Sequence, residues 1–350
     1  MFLTNTMNLN KTLVLIALLV LLQACTSIKA PYSTILQPAP TTIRTSVGNV
    51  GLWKMGKAPS LEGSVYLIPG IPGSSLENAP LGRELARKGY SVNLLNPPGH
   101  GQIAVGNTHW NYTFPQYGQA LYDSIQTLEV GNIAKGERII IAHSAGAEMV
   151  FELLQNQIKR DTLPKHYKIV LINPWLPSLS NHAISWTSED EDILKYPSWL
   201  VKLFGPASKA TAHKRLFHNP LKNQNTDYLN AHEKLTENLG GWWPFDDRFV
   251  RLMKATTRSQ RTILQQGSQY ELTKNATNLL NKKLTSAKVR LIVISSAKGF
   301  DQIIPSTYKQ SLKKALRAKL PTVSIRFAKG IEGGHMLQVE QLKRVVGELL

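Results

Sequence analysis

Hydrophobic residues in this chain fall into short, dense runs separated by longer segments in which they recur every three or four positions. Two runs, "TTIRTSV" and "GLWKMG", flank Gly48-Asn49 and predict an opening β-hairpin. Six more follow: "SVYLIPG", "YSVNLLNPPG", "RIIIAHS", "YKIVLINP", "VRLIVISS" and "TVSIRFA". Each holds four to seven residues rich in Val, Ile and Leu, the signature of strands buried on both faces. Between them, "ENAPLGRELARKG", "FPQYGQALYDSIQTLEVG", "AGAEMVFELLQNQIKR" and "STYKQSLKKALRAK" carry helical periodicity. Strands alternating with helices predict an α/β fold, a mostly parallel sheet with helices on both faces. The hairpin would form its antiparallel edge.

The alternation breaks once. From about Ser178 to Thr285 no buried strand is evident, and four of the seven tryptophans (Trp186, Trp199, Trp242, Trp243) sit among short helical pieces. More than a hundred residues is too long for a loop, so the interval predicts an inserted helical cap between the sixth and seventh strands. The expected division is then 41–177 and 286–350 for the core, with 178–285 as the insertion.

The N-terminus has a different pattern. Lys11 precedes an unbroken apolar run from Leu13 to Leu22, too short for a permanent membrane span and laid out like a secretory signal over residues 1–24. "LQAC", Leu22 to Cys25, resembles the bacterial lipobox, in which cleavage precedes a cysteine that then carries lipid such as palmitate. Cys25 is the only cysteine in the chain, so no intrachain disulfide can form. The lipoprotein resemblance implies that Thr26, rather than an acidic residue, directs sorting to an outer membrane facing the periplasm. Residues 25–40 read as a lipid-anchored linker.

Composition is that of a globular protein, 42% hydrophobic and 18% charged, with a formal charge of +18. Such a balance points to an anionic partner. The basic residues lie on helical faces such as Tyr308 to Lys319 without a zinc-finger or RNA-binding signature, which favours an anionic membrane surface over nucleic acid. A simple solvated face fits the same residues.

"AHSAG", Ala142 to Gly146, sits where an apolar run gives way to a helical one. It is a variant of the Gly-x-Ser-x-Gly nucleophile elbow, a strand-to-helix turn so tight that only small residues fit two positions either side of the serine. With "VYLIPGIPGSS" (Val65 to Ser75) before it, the chain resembles the α/β-hydrolase fold family. That resemblance implies an oxyanion hole built from the backbone N–H groups of Ile71 and Ala145. It extends through "LLNPPGHG", where Asn96 replaces a common aspartate of structural importance; His100 and His143 read as structural neighbours of the pocket.

The family match also supplies an acid and a base. "VRLIVISSAKGFDQIIP" puts Asp301 at the triad-acid position, against a competing acidic cluster, Glu189 to Asp192, that lies inside the insertion. "IEGGHMLQVEQL" puts His335 at the base position, although a histidine after two glycines also fits an ordinary surface residue. The order Ser144, Asp301, His335 is the family's order. The resemblance implies a serine hydrolase, needing no cofactor or metal, that cleaves a carboxylic ester or acyl lipid through an acyl-enzyme. Amide, peptide and thioester substrates fit the same triad, and a non-catalytic binding lipoprotein on this scaffold is a further alternative.

Overall fold

The computed structural model describes residues 41–56, 60–70, 78–98, 100, 112–130, 136–179, 273–301 and 304–350. Eight strands form one sheet: β1 (Thr41–Arg44), β2 (Asn49–Met55), β3 (Gly63–Ile68), β4 (Ser91–Asn96), β5 (Glu137–His143), β6 (Tyr167–Ile172), β7 (Arg290–Ile294) and β8 (Ser324–Phe327). Their spatial order is β1-β2-β4-β3-β5-β6-β7-β8. β2 runs antiparallel to β1 and β4, and all other pairs are parallel. Each of the eight runs predicted as strands overlaps one.

The unbroken apolar character of the central runs follows from what covers them. Along β5, Ile140 and Ala142 join one core while Ile139 and Ile141, equally buried, face the other way. β6 repeats this with Ile169 and Leu171 against Val170 and Ile172. A strand with solvent on one face would have alternated with polar residues instead.

Helices cover the sheet in two layers. One comprises α2 (Phe114–Glu129), α3 (Gly146–Lys159), α4 (Lys274–Ser286) and α5 (Ser306–Lys319), packed in that sequence. The other comprises α1 (Ala79–Arg87), α6 (Leu337–Glu340) and α7 (Leu342–Leu349). Local sequence fixes several ends: Thr113 and Gln116 form a reciprocal capping box at the start of α2, and Thr273 caps α4.

Helix α4 falls within the range expected for the insertion, yet it packs on α3 and α5 and so completes a core layer. The rest of that range, from residue 180 to 272, lies outside the described residues, with Glu189 to Asp192 and the four tryptophans. So do the signal-like segment, Cys25 and Ile71. Among the described residues, no helix is long and apolar enough to cross a membrane.

At the N-terminal ends of the central strands, Glu137 on β5 binds Lys168 of β6 at 2.7 Å and pairs with Arg290 of β7. Lys168 Nζ also donates to the carbonyl of Leu349 at the end of α7, at 3.3 Å. These contacts hold three parallel strands and the last helix together at the end opposite the site.

Candidate active site

β5 ends at His143 and α3 begins at Gly146, leaving two residues to turn the chain. Ser144 takes the turn with φ of 51°, in the left-handed region that costs a non-glycine residue on the order of 1 kcal/mol or more. The neighbouring strand supplies the compensation. Ser144 N–H donates to Ile172 O at 3.0 Å, and its carbonyl accepts from Trp175 N–H at 3.0 Å. The serine is therefore clamped at the carboxyl end of the sheet on both sides of its backbone.

The small residues have geometric reasons. A Cβ on Gly146 would lie 2.4 Å from the Pro69 carbonyl oxygen, so the start of α3 reaches the end of β3 only as glycine. A Cβ on Gly70 would lie 2.9 Å from Ser144 Cβ and 3.2 Å from His143 Nδ1. The "IPG" turn thus lies directly against the serine. Ala145 N–H, at the N-terminus of α3, donates to no acceptor among the described residues. It adds a free donor to the positive end of a fourteen-residue helix.

The two other expected site residues meet across 34 positions of sequence: His335 Nδ1 stands 3.3 Å from Asp301 Oδ2. Both are buried. Asp301 also accepts from Ile304 N–H at 3.0 Å, and Lys309 Nζ lies 3.2 Å from the same Oδ2 that faces the imidazole. Burial alone would raise the Asp301 pKa, but His335, Lys309 and the Ile304 N–H hold it far below the usual carboxylate range. An ionised Asp301 accepts the Nδ1 proton, leaving Nε2 as the basic nitrogen. Burial lowers the His335 pKa and Asp301 raises it; His143 and Lys309 lower it further, and the net direction is down.

The loop bearing His335 is fixed from beneath. Asn173, itself at φ of 41°, donates through Nδ2 to the carbonyls of Gly334 (3.2 Å) and His335 (2.9 Å), and to Ser296 Oγ (2.9 Å). Ser296 answers with N–H to Asn173 Oδ1 at 2.8 Å and Oγ–H to Gly334 O at 2.7 Å. His143 Nε2–H donates to the His335 carbonyl at 3.0 Å, and the two rings lie 4.6 Å apart. His143 therefore links the serine turn to the His335 loop. No hydrogen bond joins Ser144 Oγ to the His335 ring in this state; such bonds commonly tighten only when substrate is bound.

His100, expected to be a pocket-side loop residue, is fully buried, edge-on to Tyr117 at 5.3 Å. Its Nδ1 meets Pro98 O at 3.3 Å, and burial pushes its pKa down to about 4. Lys309 and Asn173 were not singled out by sequence. Lys309 belongs to a helix dense in lysine, and Asn173 follows an ordinary strand. Among the described residues, no group of three or more His, Cys, Asp or Glu could hold a metal ion.

The alpha/beta hydrolase fold model matches residues 63–341, which is most of the chain. The chain belongs to that family. Solved structures agree at low identity. An esterase from Exiguobacterium antarcticum superposes with a TM-score of 0.59 at 14% identity, covering 89% of this chain and 97% of its own. An esterase from Thermogutta terrifontis gives 0.56 at 16%, covering 89% and 97%. A membrane phospholipase A described as a bacterial virulence factor gives 0.58 at 14%, covering 97% and 98%. No curated protein matched the sequence.

Proposed function

We propose that this hydrolase-family chain is a serine hydrolase acting on a carboxylic ester, with acyl lipids the preferred class. The observation that carries the reading is the strained, doubly clamped Ser144 beside an Asp301–His335 pair that His143 ties to the same turn. In the first step His335 Nε2 accepts the Ser144 hydroxyl proton as Oγ bonds to the substrate carbonyl carbon. The resulting oxyanion is received by Ala145 N–H together with Ile71 N–H, each donor worth about 3 kcal/mol in the transition state. Collapse breaks the bond to the leaving alcohol, which takes the proton from His335. Water, deprotonated by His335, then attacks the acyl-Ser144; the Oγ–acyl bond breaks as His335 returns that proton to Ser144 Oγ, and the carboxylic acid departs.

Export and a lipid anchor at Cys25 belong to the same proposal, which places substrate and enzyme together at a bacterial envelope membrane. The esterases and the membrane phospholipase A among the structural relatives fit this reading at the level of the fold. A cap within residues 178–285 would supply an apolar wall from its tryptophans. A serine-reactive fluorophosphonate tests the chemistry: the wild type should label and Ser144→Ala should not. A folded wild type that neither labels nor hydrolyses short-chain esters would sink it in favour of a binding role. Loss of membrane retention in Cys25→Ser tests the anchor separately.

A further inference from the structure

Charge is distributed very unevenly over the molecule. Residues 41–179 carry twelve Lys and Arg against nine Asp and Glu. Residues 273–330 carry thirteen Lys and Arg against a single acid, Asp301, which is buried in the site. This second stretch supplies α4, β7, α5 and β8, which together form the β8 edge of the sheet.

Few of these cations have a local purpose. Lys309 serves Asp301, while Lys283, Arg290 and Arg326 pair with Asp161, Glu137 and Glu348. Among the described residues, Lys274, Lys282, Lys288, Lys298, Lys314 and Lys329 make no ion pair, and all are exposed. Lys313 and Arg317, one turn apart on α5, lie 5.2 and 5.3 Å from the ring of Phe327 on the edge strand. On α4, Leu279 is 48% exposed, three residues before Lys282. Self-repulsion among so many unpaired cations is unfavourable unless a counter-charge lies nearby.

We infer that the α4–α5–β8 edge is a docking face for an anionic phospholipid surface. Its chemistry fits that partner: dispersed, exposed ammonium and guanidinium groups on helix faces, with one bare leucine among them. Under the anchor proposed above, a second, electrostatic attachment to the same membrane would multiply the affinity of the first.

The test uses the full chain floated on vesicles of neutral phosphatidylcholine or of phosphatidylcholine containing phosphatidylglycerol. Any contribution from the N-terminal apolar segment or lipid is common to both vesicle types. Each basic residue near such a surface is worth roughly fivefold, so three are worth on the order of a hundredfold, weakened by salt. The wild type should bind the anionic vesicles far more tightly. Lys313→Glu/Lys314→Glu/Arg317→Glu should abolish the difference, and Lys282→Glu/Lys288→Glu should reduce it without touching Phe327. Lys54→Glu/Lys88→Glu/Lys165→Glu, an equal charge change elsewhere on the surface, should leave most of it. Equal binding to both vesicles, or equal loss in the control triple, would overturn the inference. So would a stronger affinity for duplex RNA than for anionic vesicles. Because the readout is vesicle binding, it stands or falls independently of fluorophosphonate labelling.

Discussion

Lys309→Met removes an ammonium that shares Asp301 Oδ2 with the candidate base. Nζ lies 3.2 Å and His335 Nδ1 3.3 Å from that oxygen, so the two nitrogens are at most about 6.5 Å apart. At an effective dielectric of about 20, two unit charges at that separation repel by roughly 2.5 kcal/mol. Solvent reaching the partly exposed ammonium reduces this, leaving an effect of about one pH unit. The sign follows from which form works. In the proposed mechanism neutral His335 is the base; Lys309 disfavours its protonated form, and would so extend activity to lower pH. Without the ammonium the His335 pKa rises, and the acid limb of kcat/KM against pH moves up by about one unit. The alkaline plateau should change little. Lys309→Arg, which keeps the charge, should retain the wild-type limb. The reasoning is refuted if the limb of Lys309→Met stays in place or moves to lower pH while the variant remains folded.

Three other outcomes follow from the packing around the site. Burial pushes Glu148 on α3 up to about 8, with one oxygen accepting from Ser178 N–H. Its folded pKa lies above its unfolded value, so stability is full below about pH 4.5 and is lost progressively as pH rises through about 8. Glu148→Gln should therefore raise Tm at pH 9 by an amount reflecting several kcal/mol, and change little at pH 4.5. Gly146→Ala, whose Cβ meets the Pro69 carbonyl, should cost about 1–3 kcal/mol and slow fluorophosphonate labelling at least tenfold. Gly347→Ala, which meets nothing within 4 Å, should do neither. Asn173→Ala leaves the buried Gly334 and His335 carbonyls without that donor; denaturant unfolding should show a loss of roughly 2–4 kcal/mol, and kcat should fall more than KM rises.

What the sequence disclosed divides along physical lines. Strands buried on two faces write themselves as dense aliphatic runs, so all eight were legible, and small residues around Ser144 announced a turn that larger ones could not make. Helix α4 was less so. "KNATNLLNKKLTS" buries only Thr277, Leu280 and Leu284, a stripe too narrow to separate it from the polar pieces before it. Lys309 shows the other limit. It stands one helical turn before Lys313 in a lysine-rich helix, and only the fold shows that it turns inward to the triad-acid position while Lys313 faces out. Asn173 was hidden for a similar reason, since its partners lie more than 120 positions away and no local spacing encodes them.

The central claim is that Ser144 Oγ is the atom that bonds to substrate. Peptide mapping of the fluorophosphonate-treated full chain by mass spectrometry tests it most directly. The account predicts one stoichiometric adduct, on Ser144, lost in His335→Ala as well as in Ser144→Ala. An adduct on another residue, or a folded protein with none, would contradict it.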